Sequence, residues 1–271
     1  MPLTRSLVRS LTRPLAVPVG SDPEAALLTP DQVSGLALWL EARFITGLAD
    51  GAAVASWPDA GPNGYTASQA TGASQPVFRQ GQLGGYSAVS FNGSSQYLAL
   101  SGAGLGLLNG VGGVTLFIVC QSAASGSLQQ AFSASTPGAS TQRLSAGLNS
   151  SGVQQVAGRH QDADGLVTVT GGTVTTGAWC VLTTRIDYLA ATAQLYVNGS
   201  GAGSAAFGSA GAVQATSSAA IAIGALCNGV ANFWNGSLAA VILYTRALNT
   251  SERSQLEQSL GQQYGISIAA A

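Results

Sequence analysis

Short apolar runs separated by Asn-Gly or Asp-Gly recur along most of this 271-residue chain. Among the places where the dipeptide stands are 63–64, 92–93, 164–165, 198–199, 228–229 and 235–236. Asn and Asp followed by Gly accept the positive φ angles that tight hairpins require, so the spacing reads as strand, turn, strand. The runs are LALWL (36–40), YSAVSF (86–91), YLAL (97–100), VTLFIVCQS (114–122) and RLSAGLN (143–149). They continue with VQQVAG (153–158), AWCVLTTRID (178–187), AQLYV (193–197), AAIAIGA (219–225) and SLAAVILYT (237–245). In VTLFIVC both alternating faces are apolar, which predicts a central strand covered on both sides. In AQLYVNG, Leu195 and Val197 share one face and Gln194, Tyr196 and Asn198 the other, which predicts one face in a core.

Composition agrees with many short strands. The chain has 36 glycines, 46% apolar residues and only 8% charged residues, against a usual charged share of about 25%. Its surface is therefore made polar by hydroxyls and amides, a surface suited to protein neighbours or sugars. The net charge of −1 supplies no field that would draw the chain to nucleic acid or to a membrane. No run of about 18 apolar residues predicts a transmembrane helix. Cys120, Cys180 and Cys227 match no metal spacing and, being odd in number, make a poor disulfide framework; they read as small buried hydrophobes.

Two helical signals bracket the strands. In TPDQ, Thr29 is an N-cap, Pro30 occupies the first helical position and Gln32 closes a capping box, but Gly35 allows only one turn. In LNTSERSQLEQSLGQQYG, Asn249 and Glu252 form a second capping box. Leu248, Leu256, Leu260 and Tyr264 make an apolar stripe, and Gly265 ends the helix, which spans 249–264. The predicted fold is all-β: a two-sheet antiparallel jelly-roll sandwich over 29–271 with a C-terminal helix laid on it.

Residues 1–28 are different. Leu3, Leu7 and Leu11 alternate with Arg5, Arg9 and Arg13. As a helix, the leucines advance about 40° per step and each arginine lies about 200° from the preceding leucine, so the two kinds segregate cleanly. An extended strand would mix them. Such a helix is too short to stand alone in water and needs a surface. Three charges are few for a membrane or nucleic acid, so a protein groove is the expected partner. The arm lacks the apolar core of a signal peptide, though its Arg and Ser content also mimics a mitochondrial transit peptide. Prolines at 14, 18 and 23 then make a spacer.

The blocks SGLALWLEA (34–42), SWPDAGPNGYTASQA (56–70), AVSFNGSSQYLAL (88–100), LYVNGS (195–200) and FWNGSLAAVILYTRALNTSERSQLEQSLGQQYG (233–265) resemble, in that order, the LamG-like, concanavalin A-like jelly roll of bacterial surface proteins and phage virion proteins. The resemblance covers roughly residues 30–266. It implies a lectin-like domain, and the Arg/Leu arm is similar to arms that fix phage structural proteins to a particle. Family members that bind calcium do so through acids; here the matching positions are neutral, at Asn92, Gln96 and 237–241.

Glycosidases of this fold need an acid and a nucleophile or base at fixed separation on one strand. The glutamates are Glu24, Glu41, Glu252 and Glu257, and no strand carries an acidic pair at i, i+2. The one histidine, His160 in GRHQDADG, could be drawn into a Ser-His-Asp site with Asp162 or Asp164, but these read as a solvated turn. No catalytic residue and no cofactor is expected; Asp59, Asp162 and Asp164 are the weak candidates for a calcium ion. Trp57, Trp234 and Asn235 lie beside turns and are the candidate glycan-binding group, with packing of the rings under the C-terminal helix as the competing and favoured use.

These readings lead to a non-enzymatic phage virion protein. Leu3, Arg5, Leu7, Arg9, Leu11 and Arg13 would anchor it to other virion proteins of tail, neck or capsid. The jelly roll would decorate the particle or adhere to host-surface glycans, in several symmetric copies. The alternative is a bacterial cell-surface or secreted carbohydrate-binding module, against which the missing signal peptide counts.

Overall fold

The computed structural model describes residues 28–100, 106–135, 142–215, 220–226 and 229–270. The six anchoring positions between Leu3 and Arg13, and Cys227, lie outside the described residues. In chain order the strands are β1 Leu36–Glu41, β2 Ser56–Pro58, β3 Thr66–Ser68, β4 Val77–Leu83, β5 Tyr86–Asn92, β6 Leu98–Leu100, β7 Gly113–Ser122 and β8 Gln129–Ser135. They continue as β9 Leu144–Leu148, β10 Val153–Gly158, β11 Val167–Thr173, β12 Trp179–Asp187, β13 Thr192–Val197, β14 Ser200–Ala206, β15 Ala220–Ile223 and β16 Asn235–Tyr244, followed by helix α1 Thr250–Tyr264.

Two antiparallel sheets form the sandwich. The first runs β14-β13-β12-β7-β16-β5-β4, with β1 also paired to β16. The second runs β11-β10-β9-β8-β15-β6-β3-β2. Each predicted strand is present. Six others, β2, β3, β4, β8, β11 and β14, were not anticipated: β2 and β3 have three residues each, and QQAFSAS and SGAGSAA carry no apolar alternation. At one side the edge strands β11 and β14 close the sandwich. A Cβ on Gly171 would stand 2.1 Å from the Ala202 carbonyl oxygen, so only glycine permits this backbone approach.

The strand β7 has the two-faced burial its sequence predicts. Leu116, Ile118 and Cys120 enter the core between the sheets, while Phe117 and Val119 enter a second core beneath α1. Cys120 and Cys180 pair across β7 and β12, both buried, with Sγ atoms 3.8 Å apart. The hydrogen bond between them and their burial push the Cys120 thiol well up from its ordinary value.

Helix α1 packs Leu256, Leu260 and Tyr264 onto the outer face of the first sheet. Its buried face also carries Arg253 and Glu257, an i,i+4 ion pair, with the Arg253 guanidinium 3.8 Å from the Tyr196 ring centroid. Glu41, 1% exposed, is the fixed point under the helix. It accepts from the Tyr264 hydroxyl at 2.7 Å and Trp39 Nε1 at 3.0 Å, and pairs with Arg43 at 2.8 Å and with Gln263. No helix among the described residues is long and apolar enough to cross a membrane.

The α1 N-terminus gives a pH prediction. Asn249 Oδ1 accepts from the Glu252 backbone N–H at 2.9 Å, and Glu252 takes both Arg246 nitrogens at 2.8 and 2.7 Å. The Arg246 guanidinium holds the Glu252 carboxyl below its ordinary value, against the small cost of burial. Its contribution is complete above the ordinary carboxylate range and is lost as the pH falls through the lowered value. Amide exchange in the first turn of α1 is expected to accelerate in that acid window. Glu257, pushed up by burial, contributes with the opposite sign and sits in the middle of the helix, so a first-turn readout separates the two.

Candidate functional site

The candidate aromatic group does not form a surface. Trp57 and Trp234 are both 0% exposed and lie in the core between the sheets. Trp57 is the inward residue of β2, between exposed Ser56 and Pro58, and Trp234 enters the core immediately before β16. Packing beneath α1 is not their role either: Trp39, with the half-buried Trp179, fills that place. Asn235 is half-buried, its backbone N–H donating to Gln129 Oε1 at 2.9 Å. These three residues therefore offer no stacking face to a sugar.

The three aspartates are committed to protein partners. Asp59 accepts backbone N–H groups of Trp39 and Gly61 at 2.7 Å and of Tyr65 at 3.1 Å. Asp162 pairs with Arg143 at 2.5 Å and Asp164 with His160 Nδ1 at 2.5 Å. Burial opposes ionisation of Asp164, but hydrogen bonds from Gln161 and Ser209 and the nearby His160 hold its carboxyl below the usual range. Among the described residues no three His, Cys, Asp or Glu side chains converge as metal ligands. His160 Nε2 faces Gly211, where an added Cβ would lie 2.8 Å away.

The outer face of the second sheet carries the most regular polar arrangement. Phe132, Leu144, Val156, Val169, Ile221 and Leu98 point into the core, so their strand neighbours point outward. The registers align those neighbours in one row across all eight strands. Ser56 pairs with Ser68, Ser68 with Ala99, Ala99 with Ala222, Ala222 with Ser133, Ser133 with Ser145, Ser145 with Ala157, and Ala157 with Thr168. Every member is Ser, Ala or Thr. Small side chains in line make the floor of a trough, of which Ala222, Ser133, Ser145 and Ala157 are buried.

Larger polar side chains flank this floor. On one side Gln130, Gly147, Gln155 and Thr170 are paired in sequence. On the other, the register shifts beyond Leu144 and Gly158: Arg159 N–H donates to the Gln142 carbonyl at 3.1 Å, and Arg143 N–H to the Ala134 carbonyl at 2.9 Å. The middle of the floor is occluded, with Ser133 Oγ donating to the Ala225 carbonyl at 2.8 Å and Gln142 Nε2 reaching the Ala157 carbonyl at 3.3 Å. The β10–β11 end is open: Gln155 is half-buried, and Thr168 and Thr170 are exposed. Amides and hydroxyls along a trough suit the hydroxyl pattern of a saccharide.

The sequence analysis missed this face because it missed β8 and β11, which supply part of it. The signal was nonetheless present. In FSAS, LSAGL and AIAI the floor residues Ser133, Ser145 and Ala222 each stand beside a large apolar residue, Phe132, Leu144 and Ile221.

No curated protein matches the chain by sequence. Among solved structures it is similar to the binding domain of Paraclostridial Mosquitocidal Protein 1, with a TM-score of 0.60, 14% identity, and coverage of 83% of this chain and 52% of that one. It is also similar to the binding domain of botulinum neurotoxin serotype G, with a TM-score of 0.58, 14% identity, and coverage of 83% and 51%. The Trypanosoma rangeli sialidase follows, with a TM-score of 0.55, 15% identity, and coverage of 85% and 33%. The chain thus spans about half the length of the toxin domains and a third of the sialidase. At these identities the likeness is one of fold. The sequence itself matches the Laminin_G_3 family over residues 92–252, more than half of the chain. This chain belongs to Laminin_G_3, within the concanavalin A-like lectin/glucanases superfamily.

Proposed function

We propose that this protein binds saccharides without cleaving them, and that it does so on a bacteriophage virion. The observation that carries the binding reading is the trough across the second sheet, on a fold whose family includes lectins. Two of the similar structures are binding domains of toxins, which fits recognition of a cell surface. Binding rather than hydrolysis is favoured because Asp162 is paired with Arg143 and Asp164 lies against His160 Nδ1. A hydrolase would need one of them free as acid and another as base or nucleophile.

In this reading residues 1–28 dock on other virion proteins through Leu3, Arg5, Leu7, Arg9, Leu11 and Arg13. Residues 29–271 are displayed outward, in several symmetric copies. The amphipathic Leu/Arg repeat supports it. The test compares the full chain with a version starting at Thr29, by co-sedimentation with particles lacking the native protein. Only the full chain is expected to sediment. Equal binding of both versions would remove the arm from the anchoring role, and binding of neither would favour the alternative, a bacterial cell-surface or secreted carbohydrate-binding module. The trough supports that alternative equally, since it does not involve the arm.

A further inference from the structure

We propose that Cys120 and Cys180 are a modification site: in an oxidising environment they close into a disulfide that ties β7 to β12 inside the first sheet. The proposal is independent of the saccharide and virion readings. It rests first on register. Cys120 stands directly opposite Cys180 in an unbroken antiparallel ladder from Gly113↔Asp187 to Gln121↔Trp179. Tyr188 N–H donates to the Gly112 carbonyl at 3.0 Å, one step before that ladder begins, which makes 112/188 a hydrogen-bonded pair. Such pairs alternate with non-hydrogen-bonded ones, so 120/180 is hydrogen-bonded too. The other edge of β12 agrees. Val181 turns its backbone to Asn198, taking the Asn198 N–H at 2.9 Å and donating to Asn198 Oδ1 at 2.8 Å, so the backbone of Cys180 faces β7. A pair of this kind sets the Cα atoms about 5.5 Å apart, within the range that disulfides favour.

The side chains are equally well placed. Both point into the core between the sheets, 0% and 4% exposed, with their Sγ atoms already 3.8 Å apart. Side-chain rotation can close that gap without a change of register. The oxidant is a small disulfide, for which glutathione disulfide serves. One cysteine thiolate attacks a glutathione sulfur, forms a mixed disulfide and expels one glutathione thiolate. The second thiolate attacks the cysteine sulfur of that mixed disulfide and expels the other. One protein S–S bond forms, one glutathione S–S bond breaks, and the two cysteine protons end on two glutathione thiols. The hydrogen bond from Cys180 and burial push the Cys120 thiol well up, so the folded dithiol holds little thiolate. The exchange therefore belongs to folding, before the sheets close over the pair, and the same burial then shields the finished bond. In a reducing compartment the pair stays a dithiol; outside it the bond locks two interior strands that lie 60 residues apart in sequence.

The test unfolds the full-length protein in guanidinium with dithiothreitol and refolds it in a mixture of reduced and oxidised glutathione. The product is acid-quenched, denatured, alkylated with N-ethylmaleimide and weighed, then mapped as peptides. One alkylated cysteine, a mass lower by two hydrogens and a Cys120–Cys180 cross-link are expected, against three alkylated cysteines after refolding in dithiothreitol. Cys227→Ser, which leaves only the pair, is expected to give the same link and no alkylated cysteine. The linked protein is expected to melt roughly 5 °C or more above the reduced one, because the bond restricts the unfolded chain. Three alkylated cysteines after oxidative refolding, a retained glutathione adduct, or a link through Cys227 would each overturn the proposal. A linked protein that melts at or below the reduced one would also overturn it, since the bond would then strain the sheet rather than fit it.

Discussion

Trp234→Ala is expected to destabilise the fold by about 3–5 kcal/mol, the range for removing a large aromatic from a packed core. The ring is 0% exposed and packs within the core between the sheets. The backbone around it is also fixed on both sides: Trp234 N–H donates to the Gly224 carbonyl at 2.8 Å, and its own carbonyl accepts from Gly93 N–H at 3.0 Å. Alanine keeps those bonds and leaves a cavity that neighbouring strands in ladder register cannot close. Chemical denaturation measures the effect directly. A ring that served a sugar at the surface would behave in the opposite way: the variant would melt normally and lose only glycan binding. That outcome would contradict the placement of Trp234 in the core.

Glu41→Ala is expected to cost about 3 kcal/mol and to loosen α1 from the first sheet. The carboxylate is 1% exposed and holds two buried donors, the Tyr264 hydroxyl and Trp39 Nε1. Each donor left without a partner costs about 1–3 kcal/mol. Burial and the adjacent carboxylate push the Tyr264 hydroxyl far up, so it remains a donor at every working pH. The Arg43 partner is about one-third exposed; it turns to water when Glu41 is removed and adds little. Hydrogen exchange gives the local readout: amides of the last two turns of α1 should lose protection before those of β7. Unchanged protection there would mean that the apolar contacts of Leu256, Leu260 and Tyr264 hold the helix without the carboxylate.

These two positions mark the boundary between what was legible in the sequence and what was not. The strand β7 could be read because both of its alternating faces are apolar, and α1 because Asn249, Glu252 and Gly265 bracket a leucine stripe. Local chemistry decides such elements. Edge strand β14 was unreadable, since Ser, Gly and Ala in SGAGSAA carry no pattern and its place depends on the glycine contact between Gly171 and Ala202. Arg253 and Glu257 fall on the same helical face as Leu256, Leu260 and Tyr264, and the Tyr196 ring and the first sheet below them bury both. The trough is legible only after pairing, because its floor takes one residue from each of eight strands and exists through register alone. The tryptophans failed for a related reason. Standing beside a turn does not fix which way a side chain faces, and in β2 the alternation turned Trp57 inward.

The central claim, that the outer face of the second sheet binds saccharide, has one direct test. The full-length protein and its Thr168→Trp variant are applied to the same glycan array, with thermal melts to show that both are folded. Thr168 is exposed at the open end of the small-residue row, so an indole there fills the trough without entering the core. The account predicts a defined set of glycans bound by the wild type and lost in the variant. A variant that binds the same set with the same strength would contradict it, because the saccharide would then have to sit on another face of the sandwich.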